Sequence, residues 1–117
     1  MATPPLILCD NLLLKSRVRE QLRELGLEPE SVSGDVAVSD DCPIVVVDLA
    51  TRKYQPAAFI HRVRSEGFTG PILCFGPHVR EDLFGAARSS GATEVIPNSV
   101  MSTRGARIIA QLIGKID

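Results

Sequence analysis

Pro43-Ile44-Val45-Val46-Val47-Asp48 is an unbroken apolar run closed by a carboxylate. A short run of this kind, with no polar alternation, fits a strand covered on both faces, as strands of parallel sheets are. Asp48 then stands at the carboxyl edge of the sheet, where open α/β folds gather their ligands and chemistry.

The flanking sequence repeats the same logic. Leu6-Ile7-Leu8-Cys9 is a second short apolar run, and Asp10 or Asn11 can cap the helix that follows. In that helix Leu14, Val18, Leu22 and Leu25 recur at spacings of four, four and three, and Gly26 supplies the stop. The stretch from Pro29 to Asp41 is polar and weakly patterned, and Val36 and Val38 suggest a short edge strand. After the central strand at residues 43–48, Phe59, Ile60 and Val63 mark a helix closed by Gly67.

Pro71 opens the strand Ile72-Leu73-Cys74-Phe75, which Gly76-Pro77 breaks. A helix from about Arg80 to Ser90 turns Leu83, Phe84 and Ala87 inward and ends at Gly91. Glu94-Val95-Ile96 forms a last strand before Pro97, and a final helix from near Ser102 buries Ile108, Ile109, Leu112 and Ile113. Five strands and five helices in alternation, with tight connections, predict an α/β fold in which a doubly wound parallel sheet carries helices on both faces.

Bulk properties exclude several functions. A chain of 117 residues makes one domain spanning 1–117. Thirteen basic and 14 acidic side chains leave a formal charge of −1, which argues against nucleic acid or an anionic membrane as a partner. No apolar run approaches the ~20 residues that span a bilayer. Cys9, Cys42 and Cys74 are odd in number and lack CxxC spacing, so buried thiols in a reducing cytoplasm are expected. Trp is absent and aromatics are scarce, so no stacking platform is expected.

Taken end to end, the chain resembles the receiver domain of response regulators. The spacing from Asp10 to Gly26, the Val-Val-Asp48-Leu strand end and the segment from Pro71 to Ala92 carry the likeness. The resemblance implies a flavodoxin-like (βα)5 fold with strand order 2-1-3-4-5, and a role in bacterial two-component signalling. It also makes Asp48 the counterpart of the phosphoacceptor. Receivers hold Mg²⁺ with an acidic pair after the first strand plus that Asp, because a phosphoryl group attacked by a carboxylate needs its charge neutralised.

Here the pair reads Cys9-Asp10, and a neutral thiol is a poor ligand for a hard cation. The hydroxyl that receivers place after the fourth strand aligns with Gly76, and their Lys-Pro pair aligns with Asn98-Ser99. An amide donates a hydrogen bond but cannot neutralise charge. The aromatic switch position falls on Val95 or Ile96. Only Asp10 and Asp48 survive from the constellation.

Each of these residues also has a plain structural role open to it. Asp48 can cap the next loop, Asp10 can cap a helix, and Cys9 and Cys74 can be small core residues. The loop Gly76-Pro77-His78-Val79-Arg80 brings an imidazole and a guanidinium to the carboxyl edge, where His78 and Arg80 can bind an anion or a partner. Arg52 and Lys53 lie just beyond Asp48 and are candidates for a permanent ion pair with it.

The expectation is therefore a degenerate receiver that acts as a phosphorylation-independent interaction module, with no cofactor and no enzyme activity of its own. Its partner is a protein, and a homodimer through the last two helices and strand would use Arg88, Arg104, Arg107, Gln111 and Lys115. The alternative is an atypical receiver phosphorylated on Asp48, with Mg²⁺ held by Asp10 and Asp48. A third option is a small-ligand binder using the carboxyl-edge crevice, although no Gly-rich phosphate loop is present.

Overall fold

Hydrogen bonding between short apolar runs builds a single sheet in the computed structural model, which describes residues 3–116. Its strands are β1 (Leu6–Leu8), β2 (Glu30–Ser31), β3 (Val45–Asp48), β4 (Ile72–Gly76) and β5 (Glu94–Pro97). All pair in parallel, in the order β2-β1-β3-β4-β5. Every residue of β1, β3 and β4 is buried, which is why these segments read as continuous apolar runs. Register places Asp48 beside Phe75 and Gly76 beside Pro97, so the ends of β3, β4 and β5 form one edge.

Helices α1 (Leu12–Glu24) and α4 (Asn98–Leu112) cover one face of the sheet, and α2 (Pro56–Ser65) and α3 (Glu81–Ser90) cover the other. Asn11 caps α1 by accepting the Leu14 N–H at 3.1 Å. Gly91 ends α3 with φ +118°, a left-handed conformation that suits glycine.

Between α1 and α4 lies a buried polar contact. Gln21, 1% exposed, donates through Nε2 to the Met101 carbonyl at 2.8 Å. Arg17 adds bonds to the Ser102 carbonyl at 3.0 and 3.1 Å. A Cβ at Gly105 would stand 2.4 Å from Gln21 Oε1, so glycine is what lets the two helices close around that amide.

Four expectations need correction. Among the described residues there are four helices, not five, because residues 32–44 contain none. In that segment Ser33 and Ser39 donate to the carboxylates of Asp35 and Asp41, bonds that favour turns over helix. The edge strand is Glu30–Ser31 rather than the Val36–Val38 region; Val36 and Val38 instead pack half-buried onto the α2–α3 side of the core. Finally, α4 starts at Asn98, directly after Pro97, and not near Ser102. The central strand is also shorter than residues 43–48, since Pro43 has no N–H for the ladder.

Candidate functional site

Asp48 ends β3 at the bottom of a cleft of about 350 Å³, whose lining includes Asp10, Ala50, Arg52, Pro77 and Asn98. The segments that follow β1, β3, β4 and β5 supply these walls. Asp10, Asp48, Gly76 and Asn98, expected at one edge, stand there together.

Asp48 is 2% exposed. Oδ1 accepts the Ala50 N–H at 2.9 Å, and Oδ2 accepts the Cys9 thiol at 3.5 Å. The same Sγ also lies 3.5 Å from the Asn11 carbonyl, and one S–H proton can serve only one of these acceptors at a time. Burial raises the Asp48 pKa above its ordinary value, with the charge of Asp10 adding to the rise. Burial likewise pushes the Cys9 thiol up to about 12, with Asp48 adding to the rise, so this sulfur is a neutral donor and not a thiolate. Cys42 and Cys74 are buried free thiols as well.

Among the described residues, ion pairs join Arg17 to Glu20, Arg23 to Glu28, Arg62 to Glu66 and Arg80 to Asp82. None reaches Asp48. Arg52 lines the cleft without pairing there, and Lys53 faces a different cleft, so the suggested permanent ion pair with Asp48 is not formed. His78 and Arg80 are exposed, and Arg80 is held by Asp82 at 2.9 Å, so neither fills the place of a phosphate counter-charge.

Gly76 is buried, and the space beside it is already occupied. A Cβ there would lie 3.3 Å from both Leu49 Cβ and Phe84 Cε1. The fourth-strand hydroxyl of receivers is therefore replaced by packing as well as by the absence of a side chain. Asn98 opens α4, and its Oδ1 is buried without a hydrogen-bond partner.

Beside this cleft lies a second one, of about 300 Å³, which sequence reasoning did not find. Lys15 comes from α1, Ser31 from the end of β2, Ser33 from the segment after it, and Lys53 and Tyr54 from the loop between β3 and α2, so nothing local in the sequence signals their meeting. Gly34 is the one hint. A Cβ on it would stand 2.7 Å from Tyr54 Cβ, so this loop can lie against the ring only with glycine at that position.

The interaction-face residues lie apart from both clefts. Arg88 sits over the Phe84 ring at 5.9 Å from its centroid, and Arg104, Arg107 and Gln111 are exposed on α4. Lys115 donates to the Leu25 carbonyl at 2.7 Å, tying the chain after α4 to the end of α1.

No family model matches the sequence, and no curated protein matches it. Solved structures do. The signal receiver domain of the response regulator NarL from Mycobacterium tuberculosis superposes with a TM-score of 0.78 at 16% identity, covering 98% of each chain. The chain has the receiver fold. A receiver domain of a Pseudomonas aeruginosa sensor histidine kinase, with magnesium coordinated in its active-site cleft, matches at 0.78 and 14% identity over 97% of this chain and 99% of that one. A CheY-like receiver from Methanospirillum hungatei matches at 0.78 and 10% identity, covering 98% of this chain and 96% of that one.

Against the receiver fold, the donor set for a hard cation is poor. Among the described residues no group of three or more His, Cys, Asp or Glu is placed to hold a metal. Asp10 and Asp48 offer oxygens, but the third place carries a thiol that is already hydrogen-bonded to Asp48. No helix among the described residues is long and apolar enough to cross a membrane.

Proposed function

We propose that this chain is a receiver-like signalling module that works by protein contact without phosphorylation of Asp48. The observation that carries this reading is the surroundings of Asp48. Its carboxylate is buried, bonded by a neutral thiol and a backbone N–H, and has no cationic partner among the described residues. An acyl phosphate formed there would concentrate further negative charge beside Asp10 without the metal, hydroxyl or ammonium that disperses it. Such losses do not add cleanly, but each acts on the same developing charge.

What remains is a rigid frame that presents surfaces. The α3–β5–α4 side carries Arg88, Arg104 and Arg107, with Glu81 and Asp82 at the start of α3, a mixture of charge suited to a protein partner or a second copy of the chain. Lys115 contributes less there, because its ammonium is held by α1.

One observation favours the alternative of an atypical phosphoacceptor. Asp10 and Asp48 share a cleft, and Asn98 Oδ1 is a buried oxygen without a donor, so weak Mg²⁺ binding through water is chemically open to it. Incubation with acetyl phosphate or phosphoramidate and Mg²⁺, followed by intact-mass spectrometry, decides between the two. No phosphoryl adduct and no spectral response to beryllofluoride are expected. An adduct that disappears in Asp48→Asn would overturn the contact-only reading.

A further inference from the structure

We propose that the cleft lined by Lys15, Ser31, Ser33, Lys53 and Tyr54 binds a small organic anion, a carboxylate or phosphate carried on a compact apolar body. The strand order reverses at β1, whose neighbours are β2 and β3. The cleft lies at the carboxyl ends of these three strands, taking its walls from the segments that follow each of them. Crevices at such switch points are where open α/β sheets bind ligands, because adjacent loops there diverge to opposite faces. Its volume of about 300 Å³ is at the small end of ligand pockets.

The chemistry of the walls selects the ligand. Lys15 and Lys53 face the same space, and neither is in an ion pair among the described residues. Asp10 also borders it, so the charged side chains of the lining sum to one net positive charge, suited to a single anionic group. Ser31 and Ser33 bring hydroxyls, while Leu12, 77% exposed, and the Tyr54 ring provide apolar surface for the rest of the molecule.

Two further features point to a built site. The Tyr54 hydroxyl is buried with no hydrogen-bond partner, and its pKa is raised by burial and by the charge of Asp48. The Thr51 hydroxyl is near enough to oppose that rise but makes no hydrogen bond with it. In addition, the loop forming one wall is pinned from behind. Arg62 donates to the carbonyls of Gly34 and Val36 at 3.2 and 2.7 Å, which holds the cleft open where a helix is missing.

The test is an amide NMR titration of the full chain with benzoate, phenyl phosphate and neutral benzamide, without Mg²⁺ or a phosphodonor. Its result is thus independent of whether Asp48 accepts phosphate. Saturable shifts at Ser31, Ser33, Gly34 and Lys53 are expected with at least one anion and not with benzamide, and the tighter anion identifies the head group. Lys15→Gln with Lys53→Gln should weaken binding roughly tenfold at unchanged Tm. Should the double variant prove unstable, Lys53→Gln alone, at an exposed position, should weaken it about threefold. Absence of saturable shifts, equal binding of benzamide, shifts confined to Asp10, Asp48 and Ala50, or full affinity without the lysines would each overturn the proposal.

Discussion

Replacing Asp48 with Asn should stabilise the protein at neutral pH. The carboxylate offers about four acceptor positions. It is 2% exposed and finds two donors, the Ala50 N–H at 2.9 Å and the Cys9 thiol at 3.5 Å. Leaving a buried polar group short of partners costs about 1–3 kcal/mol, and more when it is charged. Asn keeps the oxygen that serves Ala50 and turns an N–H towards Sγ, a weak acceptor. Against the relief stands a weaker Ala50 bond, worth about 1 kcal/mol. The balance is a gain of about 1–2 kcal/mol, or about 4–8 °C in Tm for a domain of this size.

The pH dependence separates this from simple repacking. Burial raises the folded-state pKa of Asp48 above that of the unfolded chain. The folded state therefore suffers no penalty below the unfolded pKa, and stability is lost as pH rises through the folded one. Urea denaturation of both proteins between pH 4 and pH 8 (about four pH units around the carboxylate range) should show the advantage of Asn growing with pH. A variant less stable than the parent at neutral pH, or an advantage that does not change with pH, would refute the claim that Asp48 lacks a compensating charge.

Other substitutions probe the scaffold. Gly105→Ala places a methyl 2.4 Å from Gln21 Oε1, so it should destabilise by about 1–3 kcal/mol despite the higher helix propensity of Ala, and Gln21→Ala should recover much of that loss in a double-mutant cycle. Gly76→Ser should cost about 1–3 kcal/mol in urea denaturation, because Leu49 and Phe84 must shift to admit its Cβ. Arg64 donates to the carbonyls of Phe68, Gly70 and Gly91 at 2.7–3.0 Å. Arg64→Lys keeps the charge but not the fork, and a loss of about 1–3 kcal/mol is expected by thermal denaturation.

Local signals made most of the fold legible. β1, β3 and β4 are buried on every residue and, Asp48 apart, carry no polar side chain because both faces are covered, so the sequence shows them directly. β2 has no such signature. It is two exposed residues, Glu30 and Ser31, held by backbone pairing at the sheet edge, while the nearby valines serve the core from a loop. Gln21 was hidden for a different reason. It falls between Val18 and Leu22 on the buried stripe of α1, a place where an apolar residue is the usual occupant, and its partner carbonyls lie on α4. Gly105, inside an otherwise regular helix, was the available hint of close approach. Of the site, Asp10 and Asp48 could be placed because strand ends fix them, whereas the surroundings that decide their chemistry come from other loops.

The two clefts at the carboxyl edge differ in charge while sharing a wall. Asp10 borders both; one also carries Asp48 and Arg52, which do not pair, and the other carries Lys15 and Lys53. In a phosphate-handling site the cationic groups must meet the acceptor carboxylate, since the charge to be dispersed develops there. Here the two lysines open onto the neighbouring space, whose lining they share with Cys9 and Tyr54, both raised in pKa by burial. Lys15 and Lys53 have no carboxylate partner among the described residues, so their positive charge is directed at whatever enters the crevice between β1, β2 and β3.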